Sequence, residues 1–322
     1  MWVMGTKKSI HKKTIFNGKN IQNNSIQKHY FLIIGLPIIF WAFAFPLIKI
    51  GLNELNPINL TILRMFIASL SFLLIIFFKP IKITKLNIKD IPNLFFLGFF
   101  GVICYHFALN YGEQYISAGV ASLIITTIPI FIVVLAFIFL SEKITLNLFL
   151  GILLSLIGVI IISLFGNTDI NLEIRYILAA GAVLFAAFFG AFYTVVGKKL
   201  LNKYSPLSLT IYAILLGSLG MIPFINTSLF EEITKLSWIG WLAVIFLAIF
   251  PTVISYVLWY VALDFKPASE LGIYLYLMPI ISTILSFFLL NERITFLFIL
   301  GGFLIIIGLI IVNKKTIKIW KK

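Results

Sequence analysis

Ten apolar runs of about twenty residues each follow one another between positions 31 and 312, separated by short clusters of charge, Pro, Asn and Gly. They fall at 31–50, 57–78, 92–111, 117–140, 144–165, 176–197, 205–225, 238–262, 267–290 and 295–312. About 20 apolar residues suffice to cross the hydrocarbon core of a bilayer as a helix. The runs are continuous, whereas barrel strands would alternate over about ten residues, so the pattern predicts helices. The expected fold class is an all-α membrane protein of ten transmembrane helices.

Composition agrees with this pattern. The chain is 61% hydrophobic and 11% charged, against roughly 45–50% and about 25% in soluble domains. A net charge of +14 would point a soluble protein toward nucleic acid. Here the charges sit in tails and loops, and no aromatic–basic module lies outside the apolar runs, so no nucleic-acid partner is expected. Their distribution orients the chain instead. With the N-terminus in the cytoplasm, 20 Lys and Arg fall on cytoplasmic segments, while only Arg175, Lys235 and Arg293 fall outside. Residues 1–29 carry six Lys and no acid and read as a disordered basic cytoplasmic tail, with a second basic tail at 314–322. The apolar run after the first tail is too long for a signal-peptide core and lacks a small-residue cleavage site, so it reads as an uncleaved span. The single cysteine, Cys104, excludes an internal disulfide framework and a thiolate metal cluster.

The second half of the chain repeats the first. A shift of 150 lays Ser141-Glu142-Lys143-Ile144-Thr145 over Asn291-Glu292-Arg293-Ile294-Thr295, Pro129 over Pro279, Gly151 over Gly301 and Gly158 over Gly308. Between 117–161 and 267–311, 16 of 45 positions are identical, where biased composition alone gives roughly a tenth. Asn56-Pro57 and Ser205-Pro206 align at nearly the same offset. Five spans per copy make an odd number of crossings, so the two copies enter the membrane from opposite sides. Such inverted repeats recur in secondary transporters, where near-equivalent halves exchange conformations.

On these residues the chain resembles the drug/metabolite transporter superfamily, and within it the ten-helix EamA type. The likeness rests on Trp41-Ala42-Phe43-Ala44-Phe45-Pro46-Leu47-Ile48-Lys49, Leu63-Arg64, the segment from Ala108 to Leu123, Leu258-Trp259-Tyr260-Val261-Ala262-Leu263, Lys266-Pro267-Ala268-Ser269 and the acidic turns at Glu142 and Glu292. It implies EamA-like five-helix repeats at 30–165 and 176–313. It also implies a secondary carrier with a central cavity between the halves, often an exporter of amino acids or other small metabolites.

Arg64 lies about 10 Å into its span at 1.5 Å per residue. A cation at that depth faces the bundle interior or a wet cavity, where it either attracts an anionic solute group or makes a structural pair. Lys49, near the end of its span, can snorkel to the interface. His106 is the histidine embedded in a span and can titrate near neutrality, or be satisfied by a neighbouring helix. Trp41, Tyr193, Trp259 and Tyr274 are candidates for an amphipathic cavity lining. Tyr274 and Tyr276 point to different helix faces and cannot both line it. Pro129, Pro279 and Pro46 are candidate hinges, because proline frees a backbone carbonyl. Glu270 is a candidate for proton coupling, although an acid in a helix's first turn also suits the helix dipole. No acid stands clearly at a span centre.

No metal-ligand cluster and no phosphate-cradling Gly-rich loop is present, so neither cofactor nor metal is expected and no catalytic residue is assigned. The expected function is secondary transport of a small metabolite across the cell membrane by alternating access. An intramembrane enzyme on lipid-linked substrates, with only His106 and Glu270 to act, is one rival. A channel or a structural subunit of a larger complex is the other. The expected partners are the small-molecule substrate and the lipid bilayer, and a homodimer is compatible with the chain.

Overall fold

The computed structural model describes residues 29, 31–78, 82–166, 174–290 and 296–313. Apart from His29, the two tails and their expected disorder lie outside the described residues, as does the 291–295 turn with Glu292.

Among the described residues the regular structure is helical. The spans are α1 (Phe31–Leu52), α2 (Pro57–Phe78), α3 (Ile88–Tyr115), α4 in two parts (Ala118–Ile125 and Ile128–Leu140), α5 (Leu146–Gly166), α6 (Ile174–Leu200), α7 (Pro206–Leu219), α8 (Trp238–Phe265), α9 in three parts (Ala268–Gly272, Ile273–Tyr276 and Leu277–Leu290) and α10 (Phe296–Asn313). Large apolar side chains such as Phe66, Leu73, Phe137, Phe185, Leu242 and Phe303 cover the outside of the bundle. Lipid solvates such a surface and water does not.

Several spans differ from the sequence expectation, the ninth through its 3-10 turn at Ile273–Tyr276. The third runs to Tyr115 rather than ending at 111, and within it the Asn110 side-chain N–H donates to Thr61 Oγ1 at 2.9 Å. The seventh ends at Leu219 rather than 225, where Gly220 and Pro223 stop it. The fourth, expected as one helix, is interrupted at Thr126–Thr127.

The inverted repeat is visible in matched irregularities. Both α3 and α8 contain a π-helical turn, at Phe99–Cys104 and Ile249–Ile254, 150 residues apart. The break in α4 corresponds to the 3-10 turn of α9, and Pro129 and Pro279 stand in the first turn after each. Residues that touch their own repeat equivalent lie on the pseudo-two-fold axis. Ser155 donates to the Ile305 carbonyl at 3.4 Å, and His106 meets Tyr256 at 3.1 Å. The first contact lies between α5 and α10, which pack backbone to backbone. A Cβ on Gly158 would stand 2.4 Å from the Gly301 carbonyl oxygen, and one on Gly151 2.7 Å from that of Gly308.

Polar clamps join the two repeats at each end of the bundle. At one end Glu232, on a short connecting helix (Thr227–Lys235), accepts from Asn56 N, Asn56 Nδ2 and Asn59 Nδ2 at 2.8–3.0 Å. There Glu54 accepts from Ser237 N and Oγ, both at 2.6 Å, and the Ser237 hydroxyl bond, with the backbone one, holds the Glu54 carboxyl below the usual carboxylate range. At the opposite end Asp90 accepts from Lys203 Nζ at 2.8 Å and Tyr204 OH at 3.0 Å. Ser205 N donates to Thr84 Oγ1, and Thr84 N to Ser208 Oγ. Asn56 and Asn59 are the repeat equivalents of Ser205 and Ser208, so the two clamps are one device built twice.

Candidate solute cavity

Seven helices line the central cavity, and five of them, α1, α2, α3, α6 and α8, bring polar or aromatic functional groups to it. The cavity has a volume of about 60 Å³, enough for a few waters. Trp41 of α1, Arg64 of α2, His106 of α3, Tyr193 of α6, and Tyr256 and Trp259 of α8 line it, with Leu275 and Met278 of α9 closing the apolar side.

The chain of hydrogen bonds through this site starts at Pro251. Proline has no N–H to give the carbonyl one turn back, that of Leu247. The Thr252 hydroxyl donates to this oxygen instead, at 2.8 Å. With its hydrogen so used, Thr252 Oγ1 accepts from Arg64 Nε at 2.8 Å. Arg64 Nη1 lies 3.3 Å from His106 Nδ1. A guanidinium only donates, so Nδ1 accepts and the neutral ring carries its hydrogen on Nε2. Nε2 then donates to the Tyr256 hydroxyl at 3.1 Å, and the Tyr256 hydrogen is the outgoing donor of the series. Arg64 is 1% exposed, so its charge acts in surroundings that screen it little. The bonds to Thr252 and His106 use two of its five N–H groups.

Aromatic rings build the other wall. Trp41 donates from Nε1 to the Pro251 carbonyl at 2.8 Å, a second oxygen released by the π turn. Its ring packs edge-on against Trp259 at 5.2 Å and Tyr256 at 6.0 Å. Trp259 Nε1 donates to Thr194 Oγ1 at 3.2 Å. Tyr193 stacks on Tyr260 at 4.7 Å and lies 5.0 Å from Tyr256. Gly101 makes this approach possible, since a Cβ there would come within 2.6 Å of Tyr193 Cβ. The result is a small chamber with a cation and a hydroxyl donor on one side and fixed aromatic faces on the other. Such a chamber suits an anionic group attached to an apolar body.

Of the sequence-predicted residues, Arg64, Trp41, His106, Tyr193 and Trp259 meet at this cavity. Lys49 is half-buried, next to the lining residue Ile48 but outside the lining. Tyr274 also lies outside it, with Lys266 Nζ 5.8 Å above its ring. Pro46 is buried in the continuous helix α1, and Pro129 and Pro279 follow the breaks in α4 and α9. Glu270 is exposed at the start of α9, away from the cavity. The sequence reading missed Tyr256 and Thr252, although Tyr256 could have been found as the repeat equivalent of His106. Glu113 lies beyond the apolar run 92–111, so the pattern of the chain does not mark it. In the structure Glu113 is 0% exposed in the last turn of α3.

Comparison with known proteins covers nearly the whole chain. The model of the EamA-like transporter family matches twice, over residues 28–164 and 177–314. An uncharacterized transporter of Archaeoglobus fulgidus is 37% identical over 88% of this chain and 98% of its own length. The uncharacterized transporter YdfC of Bacillus subtilis is 36% identical over 90% and 91%. A probable terminal-alkyne amino-acid exporter of Streptantibioticus cattleyicolor is 29% identical over 88% and 92%. A crystal structure of a protein 19% identical to this one superposes with a TM-score of 0.70, covering 88% of this chain and 95% of the other, which shows the shared fold.

Proposed function

Since the chain belongs to the EamA-like transporter family and is a multi-pass membrane protein, we propose that it is a secondary carrier for small amphipathic metabolites bearing a carboxylate, amino acids foremost. The observation that carries this reading is Arg64, buried in the cavity wall and held by Thr252 and His106 opposite the rings of Trp41, Trp259 and Tyr193. A carboxylate at the remaining guanidinium donors, with its apolar side chain among the rings, satisfies both walls at once. The amino-acid exporter among the relatives supports this solute class and an outward direction. Alternating access is the transport mode that the inverted repeat favours.

The charge distribution supports cytoplasmic termini for a protein of the cell membrane, which reporter enzymes fused to either end would test. The test of function is a comparative metabolite profile, inside and outside cells, with the intact protein and Arg64→Ala at equal expression. Redistribution of a carboxylate-bearing solute by the intact protein, reduced at least about tenfold in the variant, is the expected outcome. Equal redistribution by both would remove Arg64 from solute binding, and none under any growth condition would favour a complex subunit.

A further inference from the structure

Glu113 is a buried acid that the hydrogen-bond network around the cavity does not use. It is 0% exposed, and neither carboxyl oxygen has a hydrogen-bond partner. It stands one helical turn beyond Leu109, which lines the cavity, at the Glu54 end of the bundle. The charges that act on it come from two other helices, Lys49 of α1 and Arg64 of α2. A structural ion pair would satisfy the carboxylate by direct hydrogen bonds, and here no such bond reaches it. Buried polar groups without partners are rare and costly, and an ionisable one inside a span marks an ion or proton path.

The remaining titratable and charged groups on the packed elements are few. On its own helix stand Tyr105 and His106, and Tyr111 and Tyr115 pack on each other nearer the end. The first part of α4, Ala118–Ile125, contributes none. From α6, whose Ala179 and Val183 abut Gly112, the nearby groups are exposed Arg175 and half-buried Tyr176. Across the cavity, α8 contributes Tyr256.

We propose that Glu113 is a proton-exchange site of the carrier. It holds a proton in the conformation seen here, and gives it to water when exchange of the two halves opens the cavity beside it. On release the carboxyl O–H bond breaks, the proton passes to water, and the carboxylate is left beside Lys49 and Arg64. Reprotonation reverses the step. The link to transport rests on the reading of the cavity as the solute site. Neutral Glu113 leaves the Arg64 charge undivided for a solute carboxylate, so protonation of Glu113 and solute binding favour each other.

The test needs no known solute. Difference infrared spectra of the full chain in lipid, recorded as pH is stepped, report protonated carboxyl groups through their carbonyl stretch. A band that grows on acidification in the wild type and is lost in Glu113→Gln is the expected result, with thermal unfolding showing that the variant remains folded. Absence of the band across the pH range of the folded protein, or its persistence in Glu113→Gln, would overturn the proposal. Either of those outcomes leaves Arg64-dependent solute movement standing. Conversely, a Glu113-dependent band supports the proton site even where no solute moves.

Discussion

A guanidinium cannot accept a hydrogen bond, and this fact sets the direction of the whole series from Leu247 to Tyr256. Each member has one way to satisfy its neighbour, so the site distinguishes Arg64 from another cation. Lysine is a point charge on a flexible stem and cannot hold Thr252 and His106 in one plane while facing a carboxylate. Arg64→Lys should therefore lower the initial transport rate by roughly tenfold or more, about 1.4 kcal/mol per factor of ten, measured at equal amounts of folded protein. A rate within twofold of wild type would reduce Arg64 to a bulk electrostatic role. Arg64 and His106 were legible as candidates in the sequence, because a cation and a histidine in apolar runs are conspicuous. Their contact was not, since it joins residues 42 positions apart on different helices. Glu113 was hidden for a different reason. Its polar surroundings in Asn110-Tyr111-Gly112-Glu113-Gln114 imitate a loop, and only neighbouring helices show that the segment stays helical and buried.

At the scale of elements, the long apolar runs disclosed the spans, but not where those spans are irregular. A π turn adds one residue to a helix and leaves the hydrophobic pattern almost unchanged. In α8, Pro251 hinted at it, whereas in α3 the matching turn has no proline. What these turns accomplish depends on close packing by small residues. A Cβ on Gly98 would stand 1.7 Å from the Ala213 carbonyl oxygen, so Gly98→Ala must separate α3 from α7. We expect a loss of about 3 kcal/mol, read as a lowered midpoint of thermal unfolding in detergent. Gly181→Ala is the control, since its Cβ would meet nothing within 4 Å, and it should unfold at or slightly above the wild-type temperature. Equal unfolding temperatures for the two variants would mean that the α3–α7 contact does not set the cost.

For the whole molecule, the inverted repeat limits which contacts can move. If the two halves exchange conformations, equivalent contacts exchange states. The clamp made by Glu54 with Ser237 and Glu232 with Asn59, and the clamp made by Asp90 with Lys203, are equivalents and are both formed in one conformation. They therefore remain formed in the exchanged conformation too, and act as pivots rather than gates. Cross-linked cysteines at Asn59 and Ser228, whose side chains meet at 3.1 Å, should leave transport largely intact. Loss of transport on cross-linking, restored by reduction, would instead make that contact a gate.

In the proposed carrier a solute carboxylate binds at Arg64 and crosses by exchange of the two halves. Counterflow in proteoliposomes tests it most directly, with a panel of labelled amino acids outside and the unlabelled compound inside. The expected result is saturable uptake, stimulated by internal solute, for at least one apolar amino acid, and its collapse in Arg64→Ala. Flux that rises without saturation and ignores the internal solute would contradict it and indicate a channel.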